Sequence, residues 1–370
     1  MLVPLLFSVT PAEAEVLAEV DVQTSGTVAQ TQFTTQQIID HAFRRAGIQP
    51  STVSGENLET AQELLYLVLS PLASRGIALW CVEKQLVGLN EGVLTARCAD
   101  GTVDVLNANL RTSTRISGTA VNASAAAVPN VNDGDIETTA DLGLLGNTVT
   151  LTFDEESQVT CVGLLPGVSA EWDMTIECQQ GGIWYEVADA TVTVQDSQWV
   201  WVPVEGIVRG TAVRVTVATG ASFILREFFA GSTSRETPIH KMNRGEYANL
   251  PQKETLGTPV QFWLDKRRTQ AYLTLWPAPN QAQTFNHLVV YSQRHVQDVG
   301  ALSQIIEVPQ RWYLAIIALL AKELALEMPG VDPMAFERCS MEADKRLAEA
   351  WSSETDSSRT TFRFNLSRYS

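Results

Sequence analysis

The chain is 370 residues long, room for about two or three domains, and its 45% apolar and 18% charged content excludes wholesale disorder. A formal net charge of −16 excludes a basic, dedicated nucleic-acid-binding domain as a description of the whole chain. The five cysteines, Cys81, Cys98, Cys161, Cys178 and Cys339, are dispersed and odd in number, which excludes a disulfide framework and a zinc cluster and predicts free, mostly buried thiols.

Residues 1–33 show no clear period and read as an N-terminal arm. Their apolar start has no Lys or Arg ahead of it and Glu13 and Glu15 behind it, so it does not read as a secretory signal. A helix is predicted from Thr34 or Thr35, with a stripe of Ile38, Ile39, Ala42, Phe43 and Ala46 and a stop at Gly47. A second begins after Ser54, carries Leu58, Ala61, Leu64, Leu65, Val68, Leu69 and Leu72 at helical spacing, kinks at Pro71 and ends at Gly76. Strands are predicted around 84–89 and 101–106.

From Ser117 the texture changes. "NTVTLTFD", "QVTCVGLL", "WDMTIECQ", "IWYEVA", "TVTVQD", "WVWVPV", "TAVRVTV" and "SFILREFFAG" are short strands separated by turn residues, the pattern of a β-sandwich. Residues 117–233 hold 15 Asp or Glu against 3 Arg and no Lys, so −12 of the charge sits in this one segment and −4 in the rest. After Gly231 strands resume. "TPVQFWLDKRRTQAYLTLWPAPN", 258–280, alternates Val260, Phe262 and Leu264 with polar residues, then Ala271, Leu273 and Leu275: a half-buried hairpin with Lys266, Arg267 and Arg268 at its tip. Pro309 opens a strong helix and Asp332-Pro333 another, whose buried stripe is Phe336, Cys339, Ala343, Leu347 and Ala350 or Trp351. The run 315–326 is too short to span a bilayer and contains Lys322 and Glu323, so it is a core helix and no membrane contact is expected.

The resulting division is an arm (1–33), a first body segment with a helix pair (34–112), an inserted acidic β-sandwich (117–231), a second body segment with β-hairpins and a helix pair (234–352), and a C-terminal arm (353–370) in which Phe362, Phe364 and Leu366 alternate. A β module interrupting an otherwise α-plus-β unit reads as an insertion, so the two flanks should close into one body.

Chemistry is sparse. No nucleophile elbow, P-loop, dinucleotide fingerprint or HExxH is present, and His41, His240, His287 and His295 are far apart in sequence, so no catalytic residue, cofactor or metal is expected. In "NVNDGDIET", Asn132, Asp133 and Asp135 read as an Asx-rich turn or as oxygen ligands for a hard cation. Trp199 and Trp201 in "QWVWVPV" either bury one face or stack on a sugar. The Lys266-Arg267-Arg268 tip, flanked by Trp263, Tyr272 and Trp276, reads as a solvated turn, a phosphate-backbone contact or a docking loop for an acidic partner.

The C-terminal third resembles the head-to-tail adaptor proteins of short-tailed bacteriophages, the tail-tube gatekeeper or packaged-DNA-stabilisation family. The shared pattern is a hairpin ending in Leu275, Trp276, Pro277 and Pro279, a strand with Tyr291, a helix entry at Val308, Pro309, Trp312 and Tyr313, and a long Ala/Leu helix. The opening helix pair, ending near Trp80, is similar as well. The resemblance implies a non-enzymatic virion protein forming a ring of about twelve copies between portal and tail nozzle, assembled in the host cytoplasm, around packaged double-stranded DNA. It also implies a portal-docking arm, here Phe362, Phe364, Leu366 and Tyr369. Repeated around a ring, the three tip cations would form a collar without making the monomer basic.

The insert is similar to discoidin-like (coagulation-factor type C) sandwiches in its "VNDGDIETT" entry, "GGIWYEV" and terminal "REF". The usual Trp after the entry and a bracketing disulfide are both absent, so no ligand site is carried over. The fold class expected is therefore α+β: a helical-bundle adaptor body with β-hairpins, interrupted by an antiparallel β-sandwich of discoidin or jelly-roll type. The functional alternative is a discoidin-like surface- or glycan-binding adhesin module on a helical scaffold.

Overall fold

Capping decides where the helices begin. In the computed structural model, which describes residues 31–72, 79–204, 209–218, 220–268, 270–296, 299–329 and 331–354, five α-helices form. They are α1 (Thr35–Ala46), α2 (Gly55–Leu69), α3 (Arg244–Ala248), α4 (Gln310–Glu327) and α5 (Pro333–Ser353). Thr34 accepts a hydrogen bond from Gln37 N while the Gln37 side chain returns to Thr34 N, and Gly47, at φ +89°, closes α1 in the left-handed region that favours glycine. Ser54 caps α2, and Asp332 with Pro333 opens α5. The expected stripe of α1 is buried, and that of α2 is buried at Ala61, Leu64, Leu65, Leu69 and Leu72, with Leu58 and Val68 partly covered. That of α5 is buried at Cys339, Ala343 and Ala350, with Phe336, Leu347 and Trp351 partly covered.

The chain divides into two units, residues 1–80 with 296–370 and residues 81–295. In the first, α1, α2 and α5 all pack on α4, whose Trp312, Ile316, Leu320 and Leu324 are wholly buried. Burial of each such side chain contributes about 1.5–3 kcal/mol. Phe33 and Glu354, near the two limits of the described residues, are both anchored here. Phe33 stacks on Tyr313 at 5.0 Å, and Glu354 accepts from Leu79 N (3.0 Å), Trp312 Nε1 (2.7 Å) and Arg311 Nε (2.7 Å).

The second unit is β. Its strands, in chain order, are β1 (Val82–Gly88), β2 (Thr95–Arg97), β3 (Thr102–Arg115), β4 (Gly118–Asn122), β5 (Ala140–Asp141) and β6 (Thr148–Ser157). Then come β7 (Cys161–Pro166), β8 (Ala170–Gln180), β9 (Ile183–Val194), β10 (Val200–Pro203), β11 (Gly210–Val217) and β12 (Ile224–Met242). The last are β13 (Leu256–Gly257), β14 (Gln261–Lys266), β15 (Ala271–Trp276), β16 (Ala278–Pro279) and β17 (His287–Arg294).

One sheet of the sandwich runs β4-β6-β11-β8-β9. Its inward residues Leu151, Trp172, Ile176 and Val213 share a core with Val162, Leu164, Phe228 and Ala230 of β7 and β12. The expected β-sandwich is thus observed, with "IWYEVA" and "TVTV" merged into the single strand β9. The other sheet continues beyond the sandwich: β12 pairs with β7 over its first half, then with β3, and finally runs parallel to β14. The order from edge to edge is β1-β17-β3-β12-β14-β15-β2.

Two expectations need correction. The hairpins do not belong to a helical body; β12, nineteen residues long, carries them in the same sheet as the sandwich. Compact packing therefore breaks at 80/81 and 295/296 rather than near 112–117 and 231–234. Nor is the chain a helical bundle with an inserted module. Among the described residues it is predominantly β, with long helices few and confined to the first unit. Among the described residues no helix is long and apolar enough to cross a membrane.

Candidate functional site

Residues 234–295 hold eight Lys or Arg against four Asp or Glu, a local excess of positive charge in an acidic chain. The β14–β15 hairpin organises it. Its inward residues Phe262, Leu264, Ala271, Leu273 and Leu275 are buried in the core of the β1-β17-β3 region. Strand alternation then turns Trp263, Asp265, Tyr272 and Trp276 to the other face.

That outer face is a stack of cations on aromatic rings. The Arg267 guanidinium lies 4.6 Å from the Tyr272 ring centroid and its Nε is 2.7 Å from Asp265 Oδ2. Asn243 and Glu246 cap α3 reciprocally, which sets Tyr247 against Trp263 at 4.8 Å and 18° between planes. Lys253 Nζ sits 5.4 Å from the Tyr247 ring, and Trp276 Nε1 donates to Gln252 O at 3.0 Å. Arg97 of β2 lies opposite Tyr272 in register and pairs with Asp100 at 2.7 Å. Cations held over ring faces keep outward N–H groups available for anionic oxygens, and each such contact contributes about 0.5–1 kcal/mol at an exposed site.

The three tip residues from the sequence lie where expected, all exposed. They are not equivalent. Lys266 Nζ is 3.3 Å from Asp104 Oδ1, which also takes Lys241 Nζ at 2.6 Å. Partial burial works against the ionised Asp104 carboxyl, but the Lys241 hydrogen bond and the two nearby cations hold it below the usual carboxylate value. With Arg267 on Asp265, only Arg268 has no ion-pair partner among the described residues. The other singled-out set, Phe362, Phe364, Leu366 and Tyr369, lies outside the described residues.

Trp199 and Trp201 are each 7% exposed. They stack on one another at 5.0 Å and pack on Phe285, Phe229 and His287, so they are core rather than a sugar platform. In the 130–138 loop Asp133 Oδ1 accepts from Asp135 N (2.8 Å), Asp135 Oδ1 from Glu137 N (3.0 Å), and Asn132 Oδ1 from Arg115 Nη2 (2.5 Å). The two aspartate contacts are Asx turns, and Asn132 is held by the Arg115 side chain. Among the described residues no group of three or more His, Cys, Asp or Glu is placed to hold a metal.

Sequence reasoning passed over one polar node. Glu227 is fully buried and paired with Arg115, and also accepts from Gly134 N at 3.1 Å. Burial pushes its carboxyl up to about 7 despite Arg115, with Asp133 adding repulsion. Nearby, burial, aided by the Arg111 charge, pulls His287 down to about 3. Both groups lie inside the fold and serve structure.

No protein-family model matches the sequence, and no curated protein does. Solved structures similar to part of the chain include CBM62 from Clostridium thermocellum Xyl5A (16% identity, 33% of this chain, 98% of that one, TM-score 0.27). A pectin-binding carbohydrate-binding module is similar at 20% identity (33% and 94%, TM-score 0.25). So is the family 32 CBM of Clostridium perfringens NanJ in complex with galactose, at 13% identity (35% and 99%, TM-score 0.24). Each spans about a third of this chain, the size of one module. The assignment of the sandwich rests on its own strand order and shared core.

Proposed function

We propose that the chain is a non-catalytic virion adaptor, a ring-forming protein that joins portal to tail around packaged double-stranded DNA. The observation that carries this reading is the cation-on-aromatic outer face of β14–β15, centred on Arg267, Tyr272, Trp263 and Lys253 and standing in the most basic stretch of an acidic chain. Such a face offers N–H donors to phosphate or carboxylate oxygens and π surface beside them, without any group poised for bond-making. The sandwich, with its −12 charge, would be repelled from DNA, which favours its standing away from the channel. Charge reversal of Lys266, Arg267 and Arg268 together is expected to leave the purified protein folded by circular dichroism while lowering tail attachment or DNA retention in assembled particles. Particles that retain DNA and form plaques normally would rule the reading out.

A second reading concerns the sandwich alone: recognition of a glycan, the property for which the similar solved carbohydrate-binding modules are named. Exposed Ile183 (59%) and Tyr185 (45%) at the β8–β9 turn favour it. Titration of the full chain with galactose and pectin fragments tests it, and binding unaffected by Tyr185→Ala would place recognition elsewhere.

A further inference from the structure

Among its described residues the helical unit carries two exposed faces of opposite charge. On α2, Glu59, Glu63, Tyr66 and Leu67 share one side at helical spacing, with Tyr66 44% and Leu67 61% exposed. They border an open groove of about 700 Å³, and among the described residues neither glutamate has a cationic partner. On α5, Met334, Arg338, Met341 and Lys345 recur at helical spacing, with Met334 69% and Met341 70% exposed. Beside them lies a groove of about 460 Å³ floored by Ala321 and Cys339 and flanked by Arg45, Arg338 and Lys345, with Glu342 the carboxylate among its lining residues. Glu342 is already engaged by Arg346 at 2.7 Å and Arg45 at 3.8 Å, so the groove keeps a positive rim.

We propose that these two faces meet between copies: the α2 face of one chain seats on the α5 groove of the next. Both faces have an apolar centre, and the charges around those centres are complementary, glutamates on one and arginine with lysine on the other. A foreign acidic partner would cover the α5 groove and leave Tyr66 and Leu67 in water; a second copy covers both. Because the two surfaces differ, the contact is heterologous, and each copy added leaves one face of each kind free. That geometry builds rings or open arrays rather than closed pairs. The inference rests on the oligomeric part of the reading above, but not on its site in a virion.

The test is sedimentation velocity of the full chain over a concentration series at low salt. The variants are Glu59→Lys/Glu63→Lys, Arg338→Glu/Lys345→Glu, and the four substitutions combined. All four positions are on the helix surface, and circular dichroism checks that the helices persist. The wild-type chain is expected to gain mass with concentration, each pair of reversals to shift that gain at least about tenfold upward, and the combined variant to recover it. A wild-type chain that stays monomeric, a double variant that associates like wild type, or a combined variant no better than the doubles would overturn the proposal. Binding to purified portal rings, scored on the same preparations, separates the two claims. Loss of portal binding with the rescue pattern intact ends the virion reading alone; the converse ends this interface alone.

Discussion

Glu227 and His287 are buried titratable groups whose shifts act in opposite senses. Glu227 titrates near 7 in the folded chain against an ordinary 4.5, so between those pH values the folded state holds a proton that the unfolded state has released. Stability therefore falls as pH rises through that window, by up to about 1.4 kcal/mol per pH unit. His287, held near 3 against an ordinary 6.5, makes the unfolded chain the better proton binder below 6.5, and stability falls as pH drops. The two slopes oppose one another between 4.5 and 6.5. In Glu227→Gln only the histidine slope remains. Denaturant unfolding of that variant is expected to lose about 1.4 kcal/mol per pH unit from 6.5 down to 4.5, where wild type changes little. Equal slopes in the two proteins would remove the assignment.

Among the elements, β7 and β10 show how tightly the second unit is built. Trp201 pairs in register with Gly163, and a Cβ added to Gly163 would lie 2.7 Å from the Trp201 ring. With Phe229 and His287 already against that ring, the indole has no free direction in which to move. Gly163→Ala is therefore expected to destabilise by about 1–3 kcal/mol in urea unfolding, while a value within error of wild type would mean that the ring has room. The helices were legible in the sequence because their information is local: Thr34 and Gln37 for a cap, Gly47 for a stop, apolar residues at helical spacing between. The hairpin was legible too, since alternation fixes which face of β14 and β15 is buried. The extent of β12 was not. Its first half is apolar and its second, "STSRETP", is polar, so the composition changes at residue 231 while the backbone continues without a break. Charge pairing at the hairpin tip was equally hidden. Three adjacent cations look alike in sequence, and the carboxylate that takes Lys266 is Asp104, brought near only by the sheet order.

At the scale of the whole molecule, the discontinuous helical unit depends on a clasp. Glu354, 6% exposed, gathers Leu79 N, Arg311 and Trp312 from both halves of the sequence. Glu354→Ala leaves Trp312 Nε1 and Leu79 N without their partner in a dry site, and is expected to cost about 3 kcal/mol. Differential scanning calorimetry should show that loss in a transition assigned to the helices. A shift confined to the β unit would place the clasp elsewhere.

The same discontinuity sets an order of events during synthesis. Residues 81–295 are contiguous, so the β unit has all its strands once that stretch has left the ribosome, whereas α1 and α2 wait for α4 and α5 to be translated. The surfaces that carry Met334 and Met341 come into being last. A nascent chain thus completes its helical surface only once α5 has been translated.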